Sequence, residues 1–231
     1  MANEPIRLNK FIASRLNIGR RAADDLITAG KVRINGEKPE LGARVFPGDE
    51  VVADGTRLTF TDVPDFTYVL FNKPVDYVCS RRQQGDTPTI YSLLPAKHHH
   101  LKPVGRLDKN SSGLLLLTND GDLAHRLTHP SFAKIKKYEV SLDKALAPLH
   151  HQMINDFGVQ LPDGPSKLQL ERLAEGNSRD WLVTMHEGRN RQIRRTFAAL
   201  GYDVTRLHRT HFGPYSLHQL QGKQLLEISK P

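Results

Sequence analysis

Four leucines in a row, Leu114, Leu115, Leu116 and Leu117, bounded by Gly113 on one side and Thr118-Asn119-Asp120-Gly121 on the other, constrain the fold more than any other stretch. A run that is apolar at every position has no solvent face. One this short, closed by glycine and turn formers, suits a strand covered on both faces rather than an exposed helix or edge strand. Asn119 or Asp120 can cap a short helix through Leu123, Ala124 and Leu127. On the other side, Lys102-Pro103-Val104-Gly105-Arg106-Leu107-Asp108-Lys109-Asn110 reads as a polar loop leading into that strand. Loops anchored on rigid elements are where reactive groups are usually displayed, which draws attention to Asp108.

With 231 residues, the chain has room for one large domain, or for a small one joined to a medium one, and either can bury a core. Its formal charge of +8 points to an anionic partner. Nucleic acid ranks ahead of membrane, because no stretch is both amphipathic and strongly apolar. The leucine run falls far short of the roughly 20 residues a membrane span needs. Cys79 is the only cysteine, which excludes an intrachain disulfide and a cysteine-rich zinc site and fits a reducing compartment. The first ten residues carry Arg7 and Lys10 without a following apolar block, so a cytoplasmic location is expected. His98-His99-His100 lie side by side in a proline-flanked loop, a poor arrangement for converging on one ion, and no metal is assigned there.

Near the N-terminus Leu8, Phe11, Ile12 and Leu16 recur at helical spacing, and residues 18–29 suggest a second helix with Ala22, Ala23, Leu26 and Ile27 inward and Gly30 at its end. Val32 and Ile34 then lead into Asn35-Gly36, a strong hairpin signal, and further strands are expected at 43–46 and 50–53. Two helices on a small, turn-rich sheet result. Arg7, Lys10, Arg15, Arg20, Arg21, Lys31 and Arg33 crowd these helices and the turn between them, where they can meet phosphates or simply keep the domain soluble. A boundary is expected at 61–65, where the hydrophobic pattern lapses around Pro64 before Tyr68-Val69-Leu70-Phe71 resumes as a buried strand.

Three segments carry candidate chemistry. Asp108, between Arg106 and Lys109, can be a turn former with a surface ion pair, or a carboxylate nucleophile for a sugar's anomeric carbon kept ionised by a cation. In residues 134–142, alternation puts Lys136, Tyr138, Val140 and Leu142 on one face, so Tyr138 is either core or a platform for a base. A strand over 181–185 precedes a helix over 191–200 capped by Asn190 and closed by Gly201, with Ile193, Phe197 and Leu200 inward. On that helix Arg194 lies at the edge of the apolar stripe, able to fork onto a carboxylate. Arg189, Arg191 and Arg195 remain for phosphates, although a solvated basic face would also accommodate any one of them.

The N-terminal text, from Arg7-Leu8-Asn9-Lys10-Phe11-Ile12 to Val32-Arg33-Ile34-Asn35-Gly36, resembles the alpha-L RNA-binding domain, first known from a small-subunit ribosomal protein. Gly105-Arg106-Leu107-Asp108 with Ser112-Gly113-Leu114-Leu115, the Lys136-x-Tyr138 strand, and Glu187-Gly188-Arg189-Asn190-Arg191-Gln192-Ile193-Arg194-Arg195 resemble the three motifs of the pseudouridine synthases. Phe71-Asn72-Lys73-Pro74 is similar to the entry to that family's catalytic domain, with Asp76 standing where a glycine is usual. The branch resembled is the one that acts on ribosomal RNA and carries an N-terminal alpha-L domain.

The resemblance implies an α+β chain: a small two-helix alpha-L domain over residues 1–62, then a mixed, largely antiparallel catalytic sheet with flanking helices over 66–231. It implies isomerisation of uridine to pseudouridine in ribosomal RNA after base flipping, with Asp108, Tyr138 and Arg194 catalytic and Asp108 paired with Arg194. It further implies RNA contacts from the seven basic N-terminal residues and from Lys73, Arg106, Lys136, Arg189, Arg191 and Arg195. Neither metal nor organic cofactor is required. The partner is ribosomal RNA or an assembly intermediate, the protein is expected to be a monomer, and the features around Arg209-Thr210-His211-Phe212-Gly213 lean towards the large-subunit (23S) members over 16S ones. The sequence stops soon after Leu225-Leu226-Glu227-Ile228, so target selection by a basic C-terminal tail is not expected. A non-enzymatic RNA-binding protein and a nucleoside hydrolase are the competing readings. The first does not account for Asp108, Tyr138 and Arg194 together, and the second lacks a second acid with motif support.

Overall fold

The computed structural model describes residues 4–61, 65–132 and 134–229. The chain divides into two compact units, one reaching to Thr67 and including Asn119–Gly121, the other made of the remaining residues. Most of the boundary expected at 61–65, residues 62–64, lies outside the described residues.

In the first unit, β1 (Ile6–Arg7) runs into α1 (Leu8–Arg15), followed by α2 (Arg20–Thr28), β2 (Val32–Ile34), β3 (Arg44–Val45), β4 (Val51–Ala53) and β5 (Thr56–Leu58). Leu8, Phe11 and Ile12 of α1 pack with Ala23 and Ile27 of α2 onto Val32, Val45, Val51 and Ala53. Ala22, expected inward, is exposed, and Leu16 and Leu26 are only half-buried, because α2 is short and turns one narrow stripe to the core. Asn35 and Gly36 take positive φ and close a tight turn between Ile34 and Glu37. The pairing of β2 is with β4 rather than with a strand directly after that turn, and β5 completes a three-stranded antiparallel sheet.

The second unit comprises β6 (Tyr68–Lys73), β7 (Lys102–Pro103), β8 (Ser112–Thr118), α3 (Gly121–Thr128), β9 (Lys136–Leu142), α4 (Pro148–Gln152), β10 (Val159–Leu161), β11 (Gly164–Ser166), β12 (Gln169–Arg172), β13 (Asp180–Met185), α5 (Gln192–Ala198), β14 (Val204–Phe212), β15 (Tyr215–Ser216) and β16 (Leu225–Ile228). Its main sheet has the order β12-β13-β9-β14-β8-β6-β16, with β15 on β14 and β7 on β8. Every pair is antiparallel except β14 and β8, so the sheet is mixed and largely antiparallel. The four leucines of β8 are fully buried; Leu115 and Leu117 pack with Val69, Phe71, Ile90 and Leu101.

The parallel junction in the middle of the sheet depends on Gly113. In register, Ser112 faces His208 and Gly113 faces Arg209. A Cβ on Gly113 would lie 2.3 Å from the Arg209 carbonyl oxygen and 2.5 Å from its nitrogen, and φ here is +107°. Glycine therefore serves both the backbone angle and the close approach of β14. Beside it, Ser112 Oγ and His208 Nδ1 are 2.8 Å apart.

Candidate active site

The loop before β8 is built to hold Asp108 still. β7 pairs with the far end of β8, and the Val104 N–H donates to the Leu116 carbonyl, which starts the loop against the buried strand. At the other end the Ser111 N–H donates to the Asp108 carbonyl at 3.0 Å. Lys73, the last residue of β6, sends its ammonium into the loop and donates to the carbonyls of Ser111 (2.7 Å), Pro74 (2.9 Å) and Asp108 (3.1 Å).

Lys73 is fully buried, so the structure corrects its expected place among the RNA contacts. Burial lowers its pKa, opposed by Cys79, Asp108 and Asp76. Its charge is used internally, on three backbone carbonyls. Lys73→Met is expected to cost about 2–4 kcal/mol in a urea melt, because these buried acceptors lose a charged donor. An unchanged midpoint would show that the loop does not depend on it. Asp76, where the resembled family has glycine, has φ +68°, the left-handed conformation that glycine would supply, and its N–H donates to Lys109 O at 2.8 Å. Aspartate is among the few residues that tolerate this geometry, so the turn survives the exchange.

Asp108 lies on the wall of a cavity of about 330 Å³. Tyr138 and Lys136 of β9, Leu207, Arg209 and Phe212 of β14, Met185 of β13, and the segment 188–193 supply most of the rest. Antiparallel register brings these together, with Met185 opposite Lys136 and Tyr138 between Val183 and Arg209. Tyr138 is buried, while the Asp108 side chain is 39% exposed. Among the described residues that line the cavity Asp108 is the only carboxylate, and Arg106, Lys136, Arg189, Arg191 and Arg209 supply cations. Three buried polar atoms of lining residues, Ser111 Oγ, Arg189 Nε and Arg209 Nη2, make no hydrogen bond within the protein.

The basic segment after β13 differs from expectation in three ways. Asn190 does not cap α5. The helix starts one residue later than expected, with Arg191 at the cap position in the left-handed conformation (φ +46°, ψ +33°). Arg191 there lines the cavity while its side chain stays 46% exposed, and its Nη1 lies 3.7 Å from Asp108 Oδ2.

Arg194, expected to fork onto the carboxylate, instead donates from Nη1 to Val204 O (2.6 Å) and from Nη2 to Asn110 O (2.8 Å). It is not among the residues lining the cavity, although the Asp108 charge reaches it. Burial, then Arg191, lowers the Arg194 pKa, and Asp108 raises it.

Arg189 and Arg195 are committed rather than free for phosphates. Arg195 grips both Asp163 oxygens, at 3.0 and 2.7 Å. Arg189 donates to Asp163 Oδ1 and to the carbonyls of Asp163, Gly164 and Pro165. The Arg195 hydrogen bonds hold the Asp163 carboxyl below its usual range. Gln192, buried and overlooked in the sequence, ties the segment together by donating to Glu187 and Ser166 while accepting from the Arg189 N–H. Its only sequence signal was a polar residue on the inner face of a predicted helix.

A non-glycine residue in the left-handed region costs roughly 1 kcal/mol, and here it aims a cation at Asp108. Arg191→Gly is therefore expected to raise stability by about 1 kcal/mol and to lower turnover about tenfold. A melting curve and a rate on one preparation check both; loss of stability without loss of rate would make Arg191 a structural residue.

Within the first unit, Arg7, Arg20 and Arg21 are exposed. Lys31 pairs with Asp54 at 3.0 Å, Arg33 donates to Gly30 O and Val32 O, and Arg15 lies 4.0 Å over the Phe11 ring while donating to Thr59 O. Part of the basic cluster is thus engaged inside its own domain.

Fold and site define a class: an α+β protein in which one carboxylate and a tyrosine of the mixed sheet line the same cavity among cations. Residues 67–199 match the family described as RNA pseudouridylate synthase, and residues 6–51 match the S4 domain. The chain belongs to the RNA pseudouridylate synthase family. It is 36% identical to the ribosomal large subunit pseudouridine synthase B of Xanthomonas campestris pv. campestris, covering 97% of this chain and 47% of that protein. With the protein of the same name from Bacillus subtilis it shares 33% identity, over 96% of this chain and 92% of that one. The first of these curated relatives are about twice as long as this chain, which spans roughly half their length. A solved structure described as a pseudouridylate synthase aligns with a TM-score of 0.66 at 31% identity, over 97% of this chain and 96% of that one.

Proposed function

We propose that this protein isomerises uridine to pseudouridine in ribosomal RNA, with large-subunit RNA as the substrate. The observation that carries the proposal is the placement of Asp108, the only carboxylate among the described residues lining the cavity, on the same wall system as Tyr138 and within 3.7 Å of Arg191. A cavity of about 330 Å³ is the size of pocket that takes a flipped base with its sugar. The uridine leaves its stack and enters, Tyr138 stacks on the uracil, and basic side chains at the mouth hold the backbone. Flipping costs a few kcal/mol, offset by those contacts.

Asp108 then promotes cleavage of the bond between C1′ and N1, either by adding to C1′ or by taking the sugar's 2′ proton. The freed uracil turns within the cavity, and C5 bonds to C1′ as the Asp108–C1′ bond breaks or the 2′ proton returns from Asp108; N1 takes up a proton, and the C5 proton is released as the ring regains its conjugation. Base and sugar stay together, so no atom is lost except that exchanged proton. Hydrolysis by paired carboxylates would need a second acid across the site, and the described lining residues supply none.

Tritium at uracil C5 in ribosomal RNA tests the reading. Release of tritium with pseudouridine in the product and no free uracil is the expected result. Free uracil would make the protein a hydrolase, and no release from either subunit's RNA, naked or in particles, would leave it an RNA-binding protein.

A further inference from the structure

We infer that a second cavity beside the first seats a backbone phosphate of the nucleotide next to the flipped uridine, an inference that rests on the isomerase reading. This cavity, of about 150 Å³, is lined by Leu127, Thr128 and His129 at the end of α3, by Lys134 and Lys136, and by residues 186–189 after β13. It shares Thr128, Lys136, Gly188 and Arg189 with the first cavity, so a chain leaving one passes directly into the other.

The lining is cationic and its single acid is already engaged. Glu187 takes the Gln192 amide on Oε1, with Arg189 Nη2 3.3 Å from the same oxygen. Lys136 donates to the Glu187 carbonyl at 3.1 Å, an acceptor that carries no full charge. Burial, then the neighbouring Arg209 charge, lowers the Lys136 pKa, with Glu187 opposing. A cation held in a crevice against another cation is relieved by an incoming anion, and a crevice focuses that attraction.

Two further details suit a phosphate. His129 Nδ1 is engaged by Ser131, 2.7 Å from its Oγ and 3.3 Å from its N–H, so the ring is held from its Nδ1 side. At Gly188, a Cβ would stand 3.3 Å from Lys136 Nζ, crowding the amine at the boundary between the two cavities. His129 also belongs to a cluster of rings, tilted at 4.8 Å from His125 and edge-on at 6.3 Å from Phe132, which is 43% exposed. A groove that combines cations with exposed rings is the usual design for holding a single strand.

The test uses Lys134→Ala/His186→Ala, made both in the active protein and in an Asp108→Ala background. Binding of a fluorescent single-stranded, uridine-containing RNA oligonucleotide is followed by anisotropy against salt in the inactive background. The double variant is expected to bind five- to tenfold more weakly and to lose about 0.7 from the salt slope, the share of one single-strand phosphate. In the active protein KM should rise by the same factor with kcat within twofold. An unchanged slope and KM overturn the phosphate seat, as does a fall in kcat at constant KM. Should the unsubstituted protein release no tritium from any RNA while the slope still falls, the isomerase reading fails and the phosphate seat stands.

Discussion

Asp108→Ala is expected to abolish tritium release, by at least about 10⁴-fold, the scale on which removal of a nucleophile acts. RNA affinity should stay the same or rise. The reason is electrostatic: Asp108 is the only carboxylate among the described residues of a wall that also holds Arg106, Lys136, Arg191 and Arg209, so its loss leaves the cavity more positive towards a polyanion. The fold should tolerate the change. The loop hangs on backbone carbonyls held by Lys73, and the carboxylate itself is part-exposed, with a pairing to Arg191 at 3.7 Å. A rate within tenfold of the unsubstituted protein would remove Asp108 from the chemistry, and a matching loss of affinity and melting temperature would make it a structural residue.

Gly113→Ala is expected to destabilise the second unit by at least about 3 kcal/mol or to prevent its folding. The added carbon would overlap the backbone of Arg209 at 2.3 Å, and backbone cannot swing aside as a side-chain tip can. The strands forced apart are the one parallel pair of the sheet, and Arg209, on the far strand, lines the cavity. Gly121→Ala is the control. That glycine ends the same segment, yet a Cβ there meets nothing within 4 Å, so its stability should be unchanged or slightly improved. Urea melts of the three proteins check this; equal midpoints for Gly113→Ala and the parent would mean that β8 and β14 do not approach as closely as described.

Much of the local structure was legible because it depends on neighbours in sequence. The leucine run becomes a strand buried on both faces, the alternation of 136–142 puts Tyr138, Val140 and Leu142 inside, and the helical spacing of Leu8, Phe11 and Ile12 builds the first core. Arg209 could also have been found: it alternates with Leu207 on the buried side of β14, before a bulge shifts the register.

The partners of charged side chains were not legible. A lysine or arginine read along the chain carries only its sign, and its destination is set by acceptors distant in sequence. Lys73 went to carbonyls 35 and 38 residues away, and Arg195 to Asp163, 32 residues earlier. Arg191 stands at the cap of α5 in the left-handed conformation and lines the cavity, while Arg194 spends its donors on Val204 O and on Asn110 O, 84 residues earlier. The sequence by itself determined the elements, the two-unit composition of basic N-terminal helices and larger sheet, and the candidate carboxylate, since periodicity and turn chemistry act within a few residues. Only the tertiary structure decided which cations face the cavity and which are consumed as struts, because that choice rests on burial and on acceptors supplied by strands that meet only when the sheet forms.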